Sequence, residues 1–270
     1  MINRRGILSV ALLLAGCGAP GPQPPAAQAR LEDSNMRGTS QARAGDNAGA
    51  ARRYEDALRM ARALDDADAI AVNSINLSIV YQRLGRDADA RAILAPVVAN
   101  ERNAFSAARR MQAELRLSIM ALAARDTAGA TDWARRAQER CQAGTGGCAQ
   151  LPAILNVQAQ AALESGQAAE ASTLAQAAAD RARQIDDKSE LANALRLVGR
   201  AQRALGEPAA AVESLVKAWE IDRELADPRK LMADLLELAH ASLAAGNKQA
   251  ARDYQERAAA ISRALRDDQR

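Results

Sequence analysis

Aromatic residues are nearly missing from this chain: one Phe, two Trp and three Tyr among 270 residues, 2% in all. Runs of Val, Ile, Thr and aromatics that would build strands are missing too, which excludes a sheet-based fold. Alanine and leucine carry most of the 49% apolar share, and alanine is the best helix former. Histidine occurs once, at His240, with no paired Ser, Cys or ligand set, and so gives little leverage for catalysis. Without strands there is no strand–loop–helix cradle for phosphate. Charge of one sign is also missing. The formal net charge is +3, which makes no case for nucleic-acid binding, where a strongly basic patch is expected. Lysine is scarce: Lys188, Lys217, Lys230 and Lys248 stand against 36 basic residues, the rest being arginine. That bias reads as a GC-rich genome rather than as function.

The first residues read as an address. Arg4 and Arg5 precede the apolar run Ile7–Leu14 and the small residues Ala15 and Gly16. Residues 1–16 have the layout of a secretory signal peptide and are too short to span a bilayer as a mature helix. Removing them would leave a net charge of about +1. Leu14-Ala15-Gly16-Cys17 resembles the bacterial lipobox. The resemblance implies that Cys17 becomes the lipidated first residue and anchors the chain to a membrane; the alternative is a plain signal peptide in which Cys17 is incidental. Gly18 stands where an Asp would favour inner-membrane retention, so the resemblance implies an outer-membrane lipoprotein facing the periplasm. Residues 17–29, with Pro20, Pro22, Pro24 and Pro25, read as a Pro-rich tether. About twelve such residues would reach up to ~40 Å from the lipid.

Beyond the tether a single design recurs. Turn residues fall at Gly45, Gly85, Arg125, Gly166, Gly206 and Gly246, with steps of 40, 40, 41, 40 and 40 residues. A fixed period of this size means a stacked repeat array. Each unit reads as helix A, a tight turn and helix B. Six units are expected, at about 31–70, 71–110, 111–151, 152–191, 192–231 and 232–270. Leu77, Val80, Tyr81 and Leu84 lie on one face of a helix A at i, i+3, i+4, i+7. A small residue sits midway along each helix A: Gly38, Ser78, Ser118, Ala159, Gly199 and Ala239. Helix B carries a stripe such as Ala50, Tyr54, Ala57 or Ala211, Leu215, Ala218. Asp46 or Asn47, Asp126 or Thr127, and Asn247 read as N-caps, and Pro208 suits the first turn of its helix. Arg37 and Gln41 at core positions of the first helix A suggest a degenerate cap.

These positions resemble the tetratricopeptide repeat, in its longer variety found in kinesin light chains and similar cargo adaptors. The resemblance implies an all-α, right-handed α-solenoid of about six TPR-like helix-turn-helix repeats over residues 30–268. It also implies a concave groove, lined by successive A helices, for a protein or peptide ligand. Mapped by repeat position, that groove presents Val72, Ile75, Asn76, Ile79, Leu115, Ile119 and Leu122, then Asn156, Gln160, Asn193, Arg196, Arg200, Arg203, Glu237 and His240. Arg196, Arg200 and Arg203 share one helix face, opposite Leu191, Leu195, Val198 and Leu205, which read as core. They suit a partner's carboxylates, or form a solvated face with Glu237 as counter-ion. The apolar stripe lines the groove or packs on the neighbouring repeat. Asn35 and Thr39 depart from the carboxylate clamp of chaperone-binding repeats.

Cys141 and Cys148 bracket a Gly-rich loop at the one place where the period lengthens. In an exported chain that favours a disulfide over two free thiols. Zinc wants four ligands, which are not there. No cofactor, metal site or active site is expected. The leading expectation is a non-enzymatic envelope scaffold for assembly or recruitment, pilotin-like by analogy. The alternative is a regulatory or accessory subunit of a cell-envelope enzyme.

Overall fold

A computed structural model describes residues 25–99, 105–144 and 147–267. Among the described residues the chain forms twelve α-helices and no strand. They pair as A and B: α1 (Ala26–Arg43) with α2 (Asn47–Ala63), α3 (Ala67–Arg83) with α4 (Asp87–Ala99), and α5 (Ala107–Ala123) with α6 (Thr127–Ala143). Then come α7 (Leu151–Glu164) with α8 (Ala168–Gln184), α9 (Lys188–Ala204) with α10 (Pro208–Glu224), and α11 (Pro228–Ala244) with α12 (Lys248–Asp267). None of the described helices is long and apolar enough to cross a membrane. The signal peptide, Cys17 and most of the tether lie outside the described residues.

Local chemistry sets the helix ends. The Asp46 and Asp126 carboxylates accept from the backbone N–H of Gly49 and Gly129 at 2.8 and 2.9 Å. Asp66, Ser106, Asp187 and Asp227 cap α3, α5, α9 and α11 in the same way. Every A helix ends on a left-handed residue at the expected turn, including Arg125 at φ 60°. The turns between repeats use the same device at Asp65, Asp186 and Ala226.

The expected starts of the A helices move. Helix α1 begins at Ala26, inside the tether as read from sequence, because Ala-Ala-Gln-Ala are strong helix formers and Pro25 already stands at the N-cap. The later A helices begin at Ala67, Ala107, Leu151, Lys188 and Pro228, ahead of the expected starts. The first turns of α3, α5, α9 and α11 are capped by a side chain, so in these the helix begins ahead of the amphipathic stripe, whereas α7 starts on Leu151 and Pro152 without a side-chain cap. Arg37 is no core residue. It is exposed and pairs with Asp33, while Leu31 and Gly38 are the buried positions of α1.

The small residues explain the layering. Each mid-helix-A position is buried, and a methyl on Gly199 would sit 2.6 Å from Leu215 Cγ. Ser78 and Ser118 keep their hydroxyls satisfied by donating to the Ile75 and Leu115 carbonyls at 2.7 Å. Helix B is buried along its stripe, from Ala50 and Tyr54 to Ala251 and Ala258. The core is therefore a row of small clusters, each shared by two to four consecutive helices. From α3 onward each A helix packs on the next A helix, whereas no comparable B-to-B packing occurs among the described residues. Closer contact on the A side bends the array and makes the A helices its inner wall.

Cys141, at the end of α6, and Cys148 are joined as a disulfide with Cα atoms 5.4 Å apart. Cys141 belongs to the cluster with Met111, Ile154 and Val157, so the link fastens the connection between α6 and α7 to the core shared by repeats three and four.

Candidate partner-binding groove

The inner wall holds two open depressions of about 510 Å³ each. One lies between α1 and α3 and is lined by Asn35, Met36, Thr39, Arg43, Val72 and Asn76. A smaller hollow beside it adds Ile79 and Arg83. The other crosses α5, α7 and α9. Its floor is Ile119, Leu122, Ala153, Val157 and Leu197, and its polar edge is Asn156, Gln160, Glu190, Asn193 and Arg200. Asn76, Ile79, Ile119, Asn156, Asn193, Arg196 and Arg200 thus all come to the groove, with Ile119 39% exposed.

Other expected lining residues are used up by the fold. Leu115 is buried against Met111 and Val157, and Ile75 is half-buried against the cluster around Leu77 and Val80. Both serve as core. The reverse holds for Leu205, read as core but exposed at the C-cap of α9.

Arg196 is a larger correction. Its side chain is 15% exposed, and it donates through Nε to Asp234 and through Nη2 to Asp222, two carboxylates closed to solvent. It is the counter-ion of a buried cluster joining α9, α10 and α11, not a free group for a ligand. Burial pushes Asp234 up to about 6; Arg196 pulls the other way and Asp222 pushes further up. Asp222 Oδ1 and Asp234 Oδ2 have no hydrogen-bond partner among the described residues. Arg200 and Arg203 share Glu237 at 3.4 and 3.5 Å, and His240, itself 57% exposed, lies 3.9 Å from the same carboxylate. Three of these side chains therefore face one internal acid.

The polar edge is also organised. Asn156 Nδ2 donates to the Glu190 carbonyl at 3.1 Å and its carboxylate at 2.8 Å. Asn193 donates to the same carboxylate at 3.3 Å and accepts from Arg196 Nη1 at 3.2 Å. The network fixes the amides on the groove wall.

The reading from sequence missed Arg116 on α5. Its guanidinium donates to Ser78 Oγ at 3.3 Å and to Gln82, and has no carboxylate in ion-pair contact among the described residues. Burial pulls its pKa down to about 10; the like charge of Arg83 lowers it further, against Asp87. The one hint was position: Arg116 occupies the place of Met36 and Asn76 in the repeats before it. Asp222 was more legible. It continues the helix-B stripe Ala211, Leu215, Ala218, and an acid on a core stripe demands a buried cation.

No protein-family model matches the chain, and no curated protein does. Solved structures do. BtubC (BKLC) from P. vanneervenii superposes with TM-score 0.63 at 16% identity, over 90% of this chain and 93% of that one. A single-substitution variant of a candidate kinesin light chain from Podosopora anserina, with nearly identical TPR-like repeats, gives TM-score 0.58 at 22% identity, over 74% and 98%. The fold is that of TPR-like repeat proteins. PilW, a widely conserved type IV pilus biogenesis factor, has the same TPR-like fold by this measure, with TM-score 0.62 at 15% identity over 84% and 91%. At these identities the likeness is one of fold. Among the described residues no group of three His, Cys, Asp or Glu could hold a metal ion.

Proposed function

We propose that this chain is a non-enzymatic, lipid-anchored protein of the bacterial cell envelope that holds a segment of another protein in its A-helix groove, for assembly or recruitment. The observation that carries it is the inner wall itself. Five of the A helices, α1 to α9, present open hollows with apolar residues on the floor and amides at the edge, on elements held by packing against their neighbours. Extended and helical segments both dock in such grooves through side chains set at regular spacing. Leu14-Ala15-Gly16-Cys17 supports the anchor, with the outer membrane as destination. Several acyl chains on one residue hold stably where a single chain does not. The shared fold with PilW supports a role in assembly.

The anchor and the groove are tested apart. An alkyne fatty acid should label the wild type and leave Cys17→Ser unlabelled; equal labelling would remove the anchor. A pull-down from crosslinked envelopes should recover a partner with the wild type and lose it with Ile119→Glu, which places a charge on the groove floor. Recovery unaffected by that change would move binding off the groove.

A further inference from the structure

The groove's positive charge is unspent at the end opposite to the one expected from sequence. At repeats five and six the groove arginines Arg200 and Arg203 already face Glu237, and Arg196 is held by Asp222 and Asp234. At repeats one to three, Arg43 and Arg83 line the hollows of α1 and α3, Arg116 reaches from α5 across to Ser78 and Gln82 of α3, and none of the three is in ion-pair contact with a carboxylate among the described residues. Among the described residues Arg83 donates through Nη1 to the Ala42 carbonyl alone, at 3.2 Å, and Arg116 is served by neutral oxygens of Ser78 and Gln82. Among the described residues the acid acting on Arg116 is Asp87, from the first turn of α4 and without ion-pair contact.

We propose that the N-terminal half of the groove, through Arg116 with Arg83 and Arg43, receives acidic side chains of the protein segment whose apolar residues lie over Ile79 and Ile119. The proposal rests on the groove reading above and adds the chemistry and direction of the ligand. A half-buried guanidinium without a counter-ion costs the free protein stability, and a carboxylate brought by a ligand removes that cost. Guanidinium forks take carboxylates bidentately, and a desolvated groove wall strengthens the pair. Two guanidiniums that repel one another, as Arg83 and Arg116 do, are both satisfied by one intervening acid.

The signature separates a binding group from a structural one. Arg116→Gln keeps a side chain able to donate and removes the charge. Thermal unfolding of this variant should match or exceed the wild type, while ligand affinity falls. The probe is a displayed library of short random peptides, panned on the full chain and on Arg83→Gln/Arg116→Gln. Wild-type selection should enrich Asp and Glu beside apolar residues. The double variant should lose the acidic enrichment, keep the apolar one, and bind the wild-type peptides about tenfold more weakly or worse, the size of one charge-assisted contact. Peptides that need Ile119 but carry no acidic bias, or an acidic bias that survives the double variant, would overturn the proposal and leave the groove reading standing. Failure to select any peptide sensitive to Ile119→Glu would overturn both. Equal binding of an oligonucleotide at the same arginines would show that bare negative charge is read, and would also overturn it.

Discussion

Arg196 stands between two carboxylates that water does not reach, and it acts on stability before it can act on a ligand. Removing it leaves Asp222 and Asp234 buried without a cation. Arg196→Ala is expected to cost about 3–5 kcal/mol in urea unfolding, against at most about 0.5 for an exposed arginine such as Arg135. The cluster also ties stability to pH. Burial raises Asp234 from its ordinary 3.8 to about 6, so in that interval the folded state keeps a proton that the unfolded state has released. Its stabilising contribution is full below about pH 3.8 and is lost as pH rises through about 6. Asp234→Asn should flatten this part of the profile and be neutral or stabilising at pH 7, as measured by melting across pH. The spacing of Arg196, Arg200 and Arg203 placed them on one face, and that much was legible. What the spacing could not show was Asp234, a whole repeat further on, whose meeting with Arg196 depends on how α9 and α11 stack. Arg116 escaped for the same reason, since having only neutral partners among the described residues is a property of three dimensions.

Within the helices, the signals that proved readable are those fixed by nearest neighbours. Gly, Asn and Asp at turns and alanine at close approaches act over a few residues, so the turn at each repeat was visible in the chain. Arg125 is the exception that confirms the mechanism: it takes the left-handed conformation that glycine takes in the other five A–B turns. Arg125→Gly should raise stability by about 1 kcal/mol by relieving that strain. Gly199→Ala should lower it by about 1–3 kcal/mol, because the added methyl meets Leu215 and the Ala211 carbonyl. Differential scanning calorimetry of the two variants side by side would show shifts of opposite sign. Helix starts were less legible. Their first turns are marked by caps such as Asp66 and Asp187 that look like any other surface acid until the backbone N–H they accept from is seen.

At the scale of the molecule, helix packing among the described residues runs between neighbouring repeats, so the array tolerates local loss. The Cys141–Cys148 link closes a span of seven residues, and reducing it should cost at most about 2–3 kcal/mol, with helical circular dichroism retained. Curvature follows from A helices packing on A helices, and it gathers into one wall residues that lie about forty positions apart in sequence. Most of the groove could therefore be read from the period, while the division of charge along it could not. The direct measurement is site-specific photo-crosslinking in intact envelopes. A photoreactive residue is placed in turn at Met36, Ile79 and Ile119 on the inner wall, and at Arg52, Arg135 and Glu213 on helix B. One adduct of common mass from the three inner positions, missing from the three outer ones and competed away by a groove-selected peptide, is the expected result. The same adduct from the helix-B positions, with none from the inner wall, would contradict the assignment of the groove as the binding surface.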